Sequence, residues 1–144
     1  MKKLFPLTFV LMAVLVGCTS VKVLPIAKEH RISSVAIKEN LEVEGQEFLG
    51  VLITGFERHG IEAKVISAKT EVKDAYVVTY TAKRDWDLAV YLSHATINIH
   101  KDGQLVASAI YHLRAGGGLS MTKWKSVKEK IDPVIDQLLK DVKS

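Results

Sequence analysis

The sequence predicts an α+β domain, β-α-β followed by antiparallel strands and a C-terminal helix, with helices packed on a mostly antiparallel sheet. Three observations lead there. Apolar residues recur at helical spacing over residues 46–59, between two short strand-like runs. Alternating runs then fill residues 76–113, with an Asp-Gly hairpin signal inside them. Finally, one apolar stripe persists from Trp124 to Val142. Segregated strands and helices of this kind bury their apolar faces against one another in layers, so a two-layer or three-layer sandwich is expected.

The elements follow in order. Residues 33–37 form a short strand, with Val35 and Ile37 on one side and Ser34 and Ala36 on the other. An acidic loop through Glu39, Glu42 and Glu44 leads into the helix of residues 46–59. There Phe48, Val51, Leu52, Gly55 and Phe56 fall on one face, and Gly60 stands where a C-cap glycine belongs. Gly55 on that face suggests a close approach to the sheet, with a merely tolerated glycine as the other reading. Residues 61–67 form the next strand and residues 76–82 a third. A fourth, residues 86–93, runs to a turn near His94 and continues as residues 95–100. Asp102-Gly103 supplies the positive φ angles of a type I′ turn, and residues 105–113 return as the partner strand. Gly116 to Gly118 break the sheet, and Ser120 caps a last helix carrying Trp124, Val127, Ile131, Val134, Ile135, Leu138 and Val142 on its stripe. Asp132-Pro133 can kink or restart that helix.

The chain has 144 residues, a formal charge of +4 and a single cysteine. That length suits one domain, and 48% hydrophobic against 25% charged residues excludes a disordered chain. The first eighteen residues have a separate job. Lys2 and Lys3 precede an uncharged stretch from Leu4 to Val16, shorter than the roughly 20 residues a transmembrane helix needs. It ends in Leu15-Val16-Gly17-Cys18, which resembles the bacterial lipobox. By that resemblance residues 1–17 are a lipoprotein signal peptide, cleavage falls before Cys18, and Cys18 carries diacylglycerol and an acylated amino terminus. Two or more chains make a stable anchor where one is marginal. Thr19, where an aspartate would signal inner-membrane retention, implies the outer membrane, with the domain facing the periplasm and the cell surface as the other possibility. Without residues 1–17 and their two lysines the chain has 127 residues and a net charge of +2, which gives no field for nucleic acid. Residues 18–32 read as the lipidated cysteine and a short tether of roughly 50 Å at full stretch, and residues 33–144 as the single α+β domain.

The order of elements, the helix ending in His59-Gly60 and the strand opened by Asp74-Ala75-Tyr76-Val77-Val78 resemble lipoprotein domains of the TolB N-terminal and CsgG type. Trp86-Asp87, the Ile97-Asn98-Ile99 strand and Gly116-Gly117-Gly118 resemble small proteobacterial lipoproteins labelled surface-attachment proteins. These resemblances imply an envelope lipoprotein; adhesion to a surface ligand and regulation of peptidoglycan synthesis are the rival roles.

Chemistry-bearing constellations are few. With Lys101 opposite Gln104, an undisturbed hairpin places His100 against Leu105 and His94 against Tyr111. His94 and His100 then lie roughly 20 Å apart on one face and His112 on the other, so no two of them share a metal. Ile97, Ile99, Val106 and Ile110 are expected toward the helices. His94, Thr96, Asn98, His100, Ala107, Ala109 and Tyr111 are expected on the opposite face, a candidate interaction face, weakly polar and rich in small side chains. No Gly-x-Ser-x-Gly motif and no Walker spacing occurs, and Asp85 and Asp87 bracket Trp86 on a strand. The expectation is a non-enzymatic module with no cofactor beyond the lipid on Cys18, no metal, and an envelope protein as partner. Lys123, Lys125, Lys128 and Lys130 beside the last apolar stripe fit lysines that snorkel at the margin of a core better than headgroup ligands.

Overall fold

The computed structural model describes residues 19–114 and 121–142. It contains six strands and two helices: β1 (Thr19–Leu24), β2 (Ser34–Lys38), α1 (Glu47–Arg58), β3 (Glu62–Ile66), β4 (Tyr76–Asp87), β5 (Ala89–Lys101), β6 (Gln104–Leu113) and α2 (Val127–Leu138). All six strands form one sheet in the order β1-β6-β5-β4-β2-β3. Strand β2 runs parallel to β3 and β4, as the β-α-β crossover through α1 requires, and the other pairs are antiparallel. The α+β expectation therefore holds, in its two-layer form.

Both helices lie on one face. Phe48, Leu52 and Phe56 of α1 and Ile131, Ile135 and Leu138 of α2 are buried in a single cluster with Ile37, Val78, Ile97, Ile99, Ala107 and Ala109 of the sheet. The Phe48 ring stacks on Tyr80 with centroids 5.5 Å apart. α1 ends as its sequence predicts, with Gly60 at φ 72° beyond the C-cap His59. Gly55 makes its close approach to α2 instead of the sheet: a Cβ built there would lie 2.5 Å from Ile135 Cδ1. Arg58 and His59 tie the end of α1 to Asp136 of α2 at 2.9 and 2.8 Å.

Helix α2 begins later than expected. Ser126 caps it, accepting from the Glu129 backbone N–H while the Glu129 carboxylate accepts from the Ser126 backbone, and the helix runs through Pro133 without restarting. Hydrogen bonds from the Ser126 backbone and hydroxyl hold the Glu129 carboxyl below its usual range. Ser120, the expected cap, and Gly116 to Gly118 lie outside the described residues. The Ser126/Glu129 spacing is the stronger signal, since it satisfies two orphan donors at once.

The largest correction concerns residues 19–32. They are not a tether. Strand β1 pairs with β6 along its whole length, from Thr19 opposite Leu113 to Leu24 opposite Ser108. Beyond it Ile26 and Ile32 are buried, and the Ile26 N–H donates to Leu138 O at 3.0 Å. Thr19 is already paired in the sheet, so residues 19–32 supply no spacer of roughly 50 Å. Pattern reading missed this because Thr19 to Leu24 has only one face against the core and takes its hydrogen bonds from a strand at the far end of the chain.

Candidate interaction surface

With both helices on one side, the other face of the six-stranded sheet carries no covering element among the described residues. Its central rows are set by the strand registers. Ser20, His112, His94 and Lys83 form one row, Lys22, Ile110, Thr96 and Thr81 the next, and Leu24, Ser108, Asn98 and Thr79 the third. Ser20, Thr79, His94, Thr96, Asn98 and Ser108 are half-buried by their cross-strand neighbours and the other six side chains are exposed, as on a sheet that faces water or a partner. Beside this face a depression of about 420 Å³ opens between Lys38, Val72, Val77, His100 and Asp102, at the end of the sheet holding the Asp102-Gly103 turn. That turn has the expected positive φ angles, 50° and 79°.

Four of the five residues expected on the interaction face are there: His94, Thr96, Asn98 and His100 share it. Tyr111 does not. It points into the core with 3% of its surface exposed, beside Ala107 and Ala109, which were also expected outside. Burial pushes its hydroxyl up from the ordinary tyrosine value, partly offset by a hydrogen bond with Thr19. The cause is a β-bulge. His100 pairs with Leu105, but Ile99 pairs with Ala107, so Val106 is one residue extra on β6. A single inserted residue exchanges the faces of everything beyond it. Ile110, expected toward the helices, consequently turns outward, whereas Val106 packs against the core as expected.

The same bulge brings His112 opposite His94, contrary to the undisturbed register. Their Nδ1 atoms are 3.2 Å apart and the rings meet edge to face at 65°. Thr96 Oγ1 lies 3.5 Å from His94 Nε2. The two nitrogens lie within hydrogen-bond distance, and the expectation that His112 sits on the face opposite His94 is overturned. Two imidazoles are half of a closed four-ligand metal shell, and among the described residues no group of three or more His, Cys, Asp or Glu is gathered around a common point.

A second exposed feature lies at the end of the β4–β5 hairpin. The turn expected near His94 is absent, and β5 passes through that residue unbroken. The chain reverses at Leu88 instead, where Asp87 pairs with Ala89 and Trp86 with Val90. A bulge at Ser93, whose hydroxyl donates to Lys83 O at 3.1 Å, shifts the register at the base of the hairpin. Trp86, Leu88 and Val90 are 74%, 82% and 58% exposed, and Leu88 sits at φ 60°. A 3₁₀ turn, Met121–Trp124, braces the hairpin: Trp124 Nε1 donates to Asp87 O at 3.0 Å, and Lys123 pairs with the Asp87 carboxylate. No turn-forming residue marks Leu88, so the sequence carried no signal for this reversal.

Of the four lysines beside the last apolar stripe, Lys123 and Lys130 point inward, and Lys125 and Lys128 are exposed. Lys130 is buried, with its ammonium donating to Leu92 O at 3.0 Å and to Lys123 O, above the rings of Tyr91 and Tyr111. Burial lowers its pKa below the ordinary lysine value. Lys123 is likewise buried. Both bury their stems and find carbonyl or carboxylate partners, which fits the core-margin reading of these side chains.

The fold is a two-layer α+β domain with both helices on one face of the sheet. No protein-family model matches the chain, and no curated protein sequence does. Two solved structures share its architecture. One is a PelC dodecamer from Paraburkholderia phytofirmans in space group P6, similar at 12% identity with a TM-score of 0.57 over 88% of this chain and 99% of that one. The other, a leucine-to-methionine variant of the PelC dodecamer in space group C2, gives 12% identity and a TM-score of 0.55 over 85% and 95%. At that identity the likeness extends to the fold alone. The lipobox residues Leu15, Val16, Gly17 and Cys18 lie outside the described residues, and among those described no helix is long and apolar enough to cross a membrane.

Proposed function

We propose that this chain is a non-enzymatic lipoprotein of the outer membrane, anchored through lipid on Cys18 and facing the periplasm, whose domain acts by protein contacts on its bare sheet face. The observation that carries this reading is a six-stranded sheet with both helices on one side and the His94, Thr96, Asn98 and His100 face left open. Further copies of the chain are the first partners to consider, since the structures that share the fold are dodecamers. Support for the anchor comes from the Lys2 to Cys18 pattern in the sequence. No cofactor beyond the lipid and no nucleic acid enters the proposal.

Two measurements test it. Replacing Cys18 with serine releases the protein from the membrane fraction and abolishes palmitate incorporation; continued sedimentation with membranes refutes the anchor. A photo-crosslinking residue at Thr96 in intact cells captures a second copy or an envelope protein, while the same group at Glu57 on α1 does not. Equal capture from both positions, or none from Thr96, refutes the face. Digestion of the domain by protease added to whole cells would place it on the outside and support the adhesion alternative.

A further inference from the structure

The hairpin end is out of place for a soluble surface. Within five residues Trp86, Leu88 and Val90 are largely exposed, and Trp86 and Val90 are a direct cross-strand pair with Leu88 at the turn between them. Met121, in the brace tied to Asp87, is 78% exposed. Leu88 also occupies a left-handed backbone conformation, which strains an L side chain and which glycine or asparagine would adopt at less cost. A large apolar group is thus held outward at a position where a small or polar one would fold more easily. The two carboxylates of the hairpin end are paired, Asp87 with Lys123 and Asp85 with Lys83 at 3.8 Å, so it carries little net negative charge.

The sheet register places this end relative to the amino terminus. Thr19 pairs with Leu113, and since His112 pairs with His94, which pairs with Lys83, Thr19 lies level with the base of the hairpin. From there the hairpin runs on through Arg84 to Leu88, about 13 Å at a strand's rise. The Asp102-Gly103 turn and the end of β1 lie at the opposite end of the sheet. Thr19, the residue that follows Cys18 in the sequence, therefore lies at the same end of the sheet as Trp86 and Leu88.

We infer that the β4–β5 hairpin end is a second contact with the lipid surface, in which Trp86, Leu88, Val90 and Met121 enter the headgroup and upper acyl region. This rests on the reading that Cys18 is lipidated. With no tether between anchor and domain, a hairpin projecting further than the anchored residue meets the bilayer as soon as the acyl chains insert. Tryptophan settles at that depth because its ring is apolar and its N–H still reaches water. One point of attachment leaves the domain free to swivel; two fix it, standing the sheet on its hairpin end and turning the open face sideways, where partners in the membrane plane meet it.

The test uses the full chain, purified with its lipid and reconstituted in phosphatidylethanolamine and phosphatidylglycerol vesicles. A nitroxide is placed at Leu88→Cys or, at the other end of the sheet, at Gln104→Cys. At position 88 the spin label loses several-fold in accessibility to a water-soluble nickel chelate and gains accessibility to oxygen, whereas at 104 it stays aqueous. A label at 88 as open to nickel as at 104 overturns the inference. Shielding at 88 from both reagents, with spin–spin broadening between copies, overturns it too, in favour of a contact with a second copy. Mass spectrometry of the Cys18 peptide reads the lipid separately. Lipidated Cys18 with an aqueous label at 88 refutes the inference alone, and unmodified Cys18 with a bilayer-embedded label at 88 refutes the anchor reading alone.

Discussion

His94 of β5 faces His112 of β6 across the outer side of the sheet, with ring centroids 5.4 Å apart. Their meeting depends wholly on the extra residue Val106, which sets the register of the second half of the hairpin. Directly opposed residues in an antiparallel pair have Cα atoms about 4.5–5.5 Å apart, inside the range a disulfide spans. A Cys18→Ser chain carrying cysteines at 94 and 112 is therefore expected to form an intramolecular disulfide under mild oxidation. Cysteines at 94 and 111, on opposite faces of the sheet, are expected to stay reduced. A shift in mobility on non-reducing electrophoresis reads the difference, and the reverse outcome would restore the undisturbed register.

Two glycines of α1 separate helix propensity from packing. Gly50 is exposed with nothing near the position of a Cβ. Gly50→Ala is expected to raise stability by about 0.5–1 kcal/mol, mainly by restricting the unfolded chain. At Gly55 the same change drives a methyl group into Ile135, and overpacking of about 1–3 kcal/mol outweighs the propensity gain. Urea denaturation should show opposite signs for the two variants. Combining Gly55→Ala with Ile135→Val, which removes the colliding Cδ1, should recover part of the loss, giving a non-additive pair.

Asp136 gives the stability a dependence on acid. Burial works to raise its carboxyl, but the hydrogen bonds and charges of His59 and Arg58 outweigh burial and hold it below the ordinary aspartate value. A carboxyl whose pKa is lower in the folded state contributes stability above its unfolded pKa and loses it as pH falls through the folded one. Asp136→Asn is expected to cost about 0.5–1 kcal/mol at neutral pH, the modest figure that suits a half-exposed pair. The gap between the melting curves of the two proteins should close once the pH lies below the folded value. A gap that persists unchanged would assign the loss to packing.

What could be read in advance was whatever depends on neighbours in sequence. The apolar spacing of α1 and its Gly60 stop, the Asp102-Gly103 turn and the stripe from Val127 to Leu138 are local, and the structure holds each of them. Four residues of the candidate face were legible for the same reason, since alternation along β5 needs no partner. Tyr111 was lost because its face depends on a bulge at Val106, earlier in its own strand. That bulge is a property of how two strands pair, and no residue between Ile99 and Ala107 announces it.

The sequence by itself determined an α+β chain, its principal helices and the hairpin turn. Only the tertiary structure decided which side chains share a face, that Thr19–Leu24 is an edge strand instead of a tether, and that Trp86 and Leu88 project at the end of the sheet where Thr19 lies. The physical reason is range. Helical periodicity and turn chemistry are satisfied within a few residues, whereas the hydrogen bonds of β1 are made to β6, distant along the chain, and one unpaired residue in a hairpin reverses every side chain beyond it.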